Sequence, residues 1–278
     1  MGYLLFGGYF QLLHKAPKIT AHWTINDTEL MNMKIGIIGT GNIGATLARK
    51  LLSAGHEVKI ANSGGVKGVQ SVADDIGAVP ADVHGAVDGV DVVVLAIPLP
   101  AMASLPAGLF DAVPPQVTVI DTSNYYPGMR DAAIAQIDAG LAESIWVSAQ
   151  LGRPVVKAFN NVLAHTLAAL GQPAGTPGRL AIAVAGDDPM AMQTAMTLVE
   201  QAGFDAVDGG TLAQSWRQQP CTPAYCCDLE APAMAKALAA AVPGKAAAIR
   251  DRMPAQFAKL GAHASHDDIV AMNRQLNV

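Results

Sequence analysis

The sequence predicts an α/β fold: a doubly wound parallel sheet with a small helical segment at its C-terminal end. Three observations carry this expectation. Short β-branched runs alternate with stretches of helical periodicity, the pattern of parallel strands joined by crossover helices. The first run, Lys34-Ile-Gly-Ile-Ile38, stops in Gly39-x-Gly41-x-x-Gly44. Hydrophobic residues make up 51% of the 278 positions against 15% charged, enough apolar material for a substantial core.

The glycine stretch organises the rest. After it, Ile43, Leu47, Leu51 and Leu52 recur near a 3.6-residue period until Ala54-Gly55, so a helix follows the strand. Strand, glycine turn and helix together form the Rossmann dinucleotide fingerprint in its required context. Gly39 permits the tight turn, Gly41 admits a pyrophosphate to the backbone, and Gly44 lets the helix pack closely on the sheet. The helix N-terminus offers N–H groups and a partial positive charge to the phosphates. The plainer alternative is a tight turn without a ligand.

The remaining elements follow in order. His56–Ala61 reads as the second strand, followed by a helical piece near Val69–Ile76 and a short strand around Ala78-Val79. Asp91–Ile97 is a continuous β-branched run, as expected of a strand buried on both faces, and Pro98-Leu-Pro100 breaks it. Val117–Asp121 is the fifth strand and Pro154–Phe159 the sixth, ending in Asn160-Asn161. Leu180–Ala185 precedes a long helix from about Pro189 to Ala202, and Phe204–Asp208 offers an edge strand. From Thr211 the pattern is helical and alanine-rich, broken at Pro220, Pro223, Pro243 and Pro254. The expected organisation is an extension at 1–32 outside the core fold, an NADP-binding Rossmann domain at 33–210, and a small helical part at 211–278 that completes the substrate pocket. Met1–Leu30 is read as an upstream start or a loosely attached extension; the alternative is an arm covering the sheet or a partner subunit.

The net charge of −5 argues against non-specific nucleic-acid binding. No apolar run reaches the ~18 residues needed to span a bilayer. Three cysteines, an odd number, point to a reducing cytoplasm rather than a disulfide framework. Cys221, Cys226 and Cys227 do not complete the paired four-ligand spacing of a zinc site, and no metal is expected.

Cofactor choice is set at the end of the second strand, ~20 residues past the glycines. There the chain has Asn62-Ser63-Gly64-Gly65-Val66-Lys67. No carboxylate stands where an NAD enzyme needs one. Ser63 can donate to a 2′-phosphate and Lys67 can supply positive charge; the alternative is a solvated polar turn. NADP(H) is the expected cofactor.

Gly39-Thr-Gly-Asn-Ile-Gly44, the Ala61-Asn-Ser-Gly64 turn, Asp121-Thr-Ser-Asn124 and Val156-Lys-Ala-Phe-Asn-Asn161 together resemble the NADP oxidoreductases dependent on coenzyme F-420, above all their bacterial relatives. Ser215-Trp-Arg-Gln-Gln219 and Thr222-Pro-Ala-Tyr225 are similar to that branch too. The resemblance covers roughly residues 33 to 230. It implies a Rossmann domain with a short C-terminal segment, often a homodimer, in which NADP(H) passes a hydride directly to or from a deazaflavin. It implies that Thr40, Asn42 and Ile43 line the pyrophosphate loop, that Ser63 meets the 2′-phosphate, and that Ile97 and Pro98 lie along the nicotinamide ribose. It also places Asn160 and Asn161 facing the nicotinamide. The family commonly carries Arg directly after that Ser; here Gly64 stands there, with Lys67 as the candidate replacement.

Hydride transfer between two cofactor rings needs little beyond proximity and orientation. A carbonyl or imine acceptor would need a proton donor. Candidates at the strand ends are Tyr125, Tyr126, Lys157, Asn160 and Asn161. Lys157 is a charge inside a buried-looking run, or else an edge position; the two asparagines are alternatively loop caps. Trp216, Arg217 and Tyr225 could wall a ring pocket or simply pack. His165 reads as a satisfied surface or core histidine, and His263, His266, Asp267 and Asp268 as a solvated helix start with Asp as its cap. The expected function is hydride exchange between NADPH and coenzyme F-420 or a flavin-like small-molecule acceptor. The rivals are an NADPH-dependent reductase of a small carbonyl or imine, and a non-catalytic NADP(H)-sensing module.

Overall fold

The computed structural model describes residues 32–261 and 263–277. The expectation for residues 1–32 therefore falls, but for its last residue, outside the described residues. Among these, eight strands form one sheet in the order β3-β2-β1-β4-β5-β6-β7-β8. The strands are β1 (Lys34–Ile38), β2 (Glu57–Ala61), β3 (Val79–Pro80), β4 (Val92–Leu95), β5 (Thr118–Asp121), β6 (Val156–Lys157), β7 (Ala181–Ala185) and β8 (Asp205–Gly210). Helices α1 (Asn42–Ser53), α2 (Gly65–Ile76), α3 (Val83–Val87), α4 (Ala135–Asp138), α5 (Glu143–Leu151), α6 (Ala164–Ala169) and α7 (Pro189–Gln201) lie between them. A 3₁₀ turn at Leu212–Gln218 leads into α8 (Ala231–Ala240), α9 (Lys245–Arg250), α10 (Met253–Leu260) and α11 (His266–Leu276). The fold is thus the Rossmann-like α/β arrangement with a helical C-terminal segment. None of the described helices is long and apolar enough to cross a membrane.

Period-2 alternation sorts the strand side chains into two cores. Ile35, Ile37, Val92, Val94 and Ile120 face Leu47 and Leu51 of α1 and Leu198 of α7. Ile38, Val93, Leu95 and Val119 face Trp146 of α5 and the Leu99–Ser104 3₁₀ turn. A smaller apolar cluster joins Ala181 and Ala183 of β7 to Met234 and Leu238 of α8, which seats the C-terminal segment on the sheet.

Two expectations are corrected. The sheet is not wholly parallel: β6 pairs antiparallel with β7 through Lys157↔Ala185, whereas β7 and β8 are parallel to each other. An antiparallel join needs no full crossover, and the β6–β7 connection carries only the six-residue α6. The sixth strand is also shorter than Pro154–Phe159. Pro154 has no N–H to donate, and Phe159 turns the chain with φ 58°, so only Val156 and Lys157 pair.

Candidate functional site

Strand order reverses between β1 and β4, and a cleft of about 670 Å³ opens at that switch point, where open α/β sheets bind ligands. The three fingerprint glycines differ in what they do there. Gly39 has φ 111°, and a Cβ on it would lie 2.2 Å from Ala96 O. A Cβ on Gly44 would lie 1.9 Å from Gly39 O. Both are required by the fold itself. Gly41 is not: among the described residues nothing lies within 4 Å of the Cβ it lacks, and its φ of −73° suits any residue. Gly41 is the N-cap of α1, which has neither a side-chain cap nor an acidic residue in its first turn. The helix therefore presents its first N–H groups to the cleft. Backbone approach without a side chain, a helix dipole and uncapped donors fit a dinucleotide pyrophosphate.

Thr40, Asn62, Ser63, Gly65, Ile97 and Pro98 line this cleft with Gly39 and Gly41. Asn62 ties its two loops together: Nδ2 donates to Thr40 Oγ1 (3.2 Å) and to Gly68 O (3.2 Å), and Oδ1 accepts from Gly64 N (2.8 Å). Ser63 is exposed at the lip. A Cβ on Gly64 would stand 2.9 Å from Gly68 Cα, so a larger residue there would push α2 outward. Lys67 is exposed in the first turn of α2 but does not line the cleft; Asn42 is exposed at the start of α1, and Ile43 packs partly on the core. The sequence reading missed Asp82, Val83, Ala101 and Leu105, which also line the cleft. Asp82 follows β3, and its Oδ1 caps α3 by accepting from Gly85 N (2.7 Å). No motif marks these residues; only sheet order brings them to the mouth.

Tyr125, Tyr126, Lys157, Asn160 and Asn161 do not line this cleft, and they are mostly buried. Lys157 is fully buried, so the edge-position alternative does not hold. Its Nζ lies 3.1 Å from Glu143 Oε2 and 3.9 Å from Asp121 Oδ2, and it donates to Ser123 O (3.1 Å). Burial pushes the Glu143 carboxyl above its usual range, partly offset by Lys157. Asn160 Nδ2 donates to Asn124 Oδ1 (3.0 Å) and Gln218 O (2.8 Å), and its Oδ1 accepts from Gln218 Nε2 (2.9 Å). Asn161 Nδ2 donates to Ala224 O (3.1 Å). Both carboxamides are thus engaged in fastening the C-terminal segment over the end of β6. Tyr125 is buried, donates to Asp138 Oδ1 (3.1 Å) and accepts from Ile134 N (2.7 Å). The hydroxyls of Tyr126 and Tyr225 are hydrogen-bonded to each other, and burial raises both phenols well above their ordinary value.

The outlying residues sort differently. Trp216 and Arg217 are half-buried in the 3₁₀ turn, where Arg217 Nη2 donates to Gly209 O (2.8 Å). His165 is exposed and its ring lies 4.6 Å from that of His266. His266 Nε2 lies 2.8 Å from Asp228 Oδ2. The cap of α11 is Ser265, in a reciprocal box with Asp268, rather than an Asp; His263 is exposed before it. Cys221, Cys226 and Cys227 are free and buried. Burial pushes Cys221 up to about 12 and Cys227 up to about 11.

Comparison with known proteins agrees with this geometry. Residues 34–125 match the family described as NADP oxidoreductase, coenzyme F420-dependent. The protein YjhV of Escherichia coli strain K12 is 52% identical over 105 residues, covering 38% of this chain and 77% of that one. The structure of a hypothetical protein, SMa0349, from Sinorhizobium meliloti superposes with a TM-score of 0.60 at 31% identity, covering 72% of this chain and 96% of the other. A proposed F420-dependent NADP reductase from Arthrobacter sp. FB24 shares the fold at a TM-score of 0.56 and 23% identity, over 66% of this chain and 87% of its own. A fingerprint cleft at the switch point of a Rossmann sheet and a family match across β1 to β5 lead to one conclusion: the chain belongs to the coenzyme F420-dependent NADP oxidoreductase family.

Proposed function

We propose that the protein transfers a hydride between NADP(H) and a deazaflavin, coenzyme F-420, or a flavin-like acceptor. The observation that carries the nucleotide half is Gly41, a glycine that the fold does not need, standing open at an uncapped helix N-terminus. The adenosine end lies toward Asn62 and Ser63, where β2 ends without a carboxylate, which favours a 2′-phosphate. Ser63 donates to it, with Lys67 adding charge from the first turn of α2. Thr40, Asn42 and Ile43 form the pyrophosphate loop, and Ile97 and Pro98 flank the nicotinamide ribose. NADP(H) supplies the hydride when bound; the chain orients its ring and keeps water out. Asn160 and Asn161 serve as anchors of the 211–278 part, which closes the acceptor side of a site built mainly by residues 33–210.

One observation favours a second reading, reduction of a small carbonyl or imine. The Tyr126–Tyr225 phenol pair, held neutral by burial, could give the proton that such an acceptor requires. A single assay separates the readings: NADPH is mixed with purified protein and coenzyme F-420, and the absorbance of the oxidised deazaflavin is followed. FMN and a panel of small carbonyls and imines run in parallel. Loss of absorbance with F-420 supports the first reading. Turnover confined to the carbonyls or imines would replace it, and NADPH binding without any turnover would leave a sensor.

A further inference from the structure

We propose that Asp121, Glu143 and Lys157 form a positioning triad that holds the Thr122–Tyr125 segment against the nicotinamide end of the cleft. Lys157 then acts through this segment rather than on the acceptor. The inference rests on the nucleotide-site reading above. The three side chains come from β5, α5 and β6, and each is at most 4% exposed. Their hydrogen bonds converge on one main-chain stretch. Asp121 Oδ1 accepts from Ser123 N (2.9 Å), Lys157 Nζ donates to Ser123 O (3.1 Å), and Glu143 Oε2 accepts from Lys157 Nζ (3.1 Å) and so holds the ammonium in place. Ser144 Oγ donates to Asp121 Oδ2 (2.6 Å) and fixes that carboxylate from behind.

The opposite side of the segment is tied to the end of β4, from which the cleft wall runs on. Thr122 donates to Leu95 O through both its N–H (3.2 Å) and its Oγ1 (3.1 Å). Leu95 is directly followed by Ala96, Ile97 and Pro98, which line the cleft. The segment is therefore clamped between the triad and the wall along which the nicotinamide half would lie. Within it, Ser123 Oγ is buried without a hydrogen-bond partner among the described residues.

Stability alone does not account for such a cluster. Two carboxyls and one ammonium are withdrawn from water, and apolar side chains of similar volume often hold a core as well or better. What the charges add is direction, because both main-chain groups of Ser123 are fixed by oriented bonds.

The test compares two ligands by calorimetry: NADPH, which reaches the nicotinamide end, and 2′,5′-ADP, which does not. Lys157→Met should weaken NADPH by roughly tenfold, the order of one lost charge-assisted hydrogen bond. The affinity for 2′,5′-ADP should stay within about twofold of wild type. Glu143→Gln keeps one acceptor oxygen, which serves Lys157, and should retain the wild-type ratio. If Lys157→Met does not fold because a carboxylate is left uncompensated, Lys157→Met with Glu143→Leu removes it, and the same selective loss is expected. Equal weakening of both ligands, or no weakening of either, overturns the positioning role. A wild-type protein that binds neither ligand overturns the nucleotide-site reading itself, and this inference with it.

Discussion

At the scale of single residues, the fingerprint glycines separate into those the fold needs and one it leaves free. A Cβ at Gly44 would sit 1.9 Å from Gly39 O, so Gly44→Ala should cost about 1–3 kcal/mol, the usual penalty of overpacking. Gly41 has open space around it. Gly41→Val should therefore leave the thermal midpoint within a degree or two while NADPH binding falls below detection. Paired melting and binding curves check both variants, and retained affinity in Gly41→Val would remove the phosphate loop from the cleft. The proposed roles of Ser63 and Lys67 in cofactor choice are tested in the same local way. Ser63→Asp with Lys67→Ala places a carboxylate where a 2′-phosphate would sit, and the NADPH:NADH affinity ratio should fall by at least about tenfold. An unchanged ratio would put the 2′-phosphate elsewhere. The glycines and the Asn62-Ser63 turn, which meet at the cleft, were legible in the sequence because each is made by consecutive residues, whereas Lys67 does not line the cleft.

At the scale of elements, β5, α5 and β6 meet in the buried triad. Glu143 titrates above its ordinary value of 4.5 because burial disfavours its charge. Between the unfolded and the raised folded value the native state holds more protons than the unfolded one, so stability falls as pH rises through that window. Glu143→Gln has no such proton. Relative to it, the wild type should lose stability from about pH 4.5 upward, by at most about 1.4 kcal/mol per pH unit. Denaturant midpoints of the two proteins across pH would run parallel if Glu143 were charged throughout. The sixth strand was read too long for a related reason. Val-Val-Lys-Ala-Phe has strand composition, but Phe159 turns into a left-handed conformation that residue type does not announce.

At the scale of the whole molecule, α11 clasps the loop that carries Tyr225. Asn273 Nδ2 donates to Cys226 O (3.0 Å), Arg274 to Cys227 O and Asp228 O (2.7 Å each), and Asn277 Nδ2 to Tyr225 O (3.2 Å). Cys226 and Asp228 sit at φ 51° and 47°, conformations that non-glycine residues hold only when their surroundings impose them. Burial keeps the thiols protonated and slow to react. Asn273→Ala with Arg274→Ala removes one buried amide donor, worth about 1–3 kcal/mol, and an exposed guanidinium that donates to two carbonyls of the loop, and should raise the alkylation rate of Cys226 and Cys227 by at least about tenfold. Peptide mass mapping after timed iodoacetamide treatment would show it; rates equal to wild type would mean that the loop holds without the helix.

The amino-acid sequence by itself determined the strand–turn–helix that opens the sheet, the alternation that makes the fold doubly wound, and the carboxylate-free turn after β2. Each is written in neighbouring residues, where periodicity and turn chemistry act directly. Tertiary structure alone decided that β7 runs against β6, that Asp82 reaches the cleft, and that Lys157 finds Glu143, 14 residues away, and Asp121. Whether a lysine in an apolar run is exposed or paired depends on which charges the packing brings to it. That is a property of the assembled sheet, because a buried ammonium persists only where distant elements supply its partners.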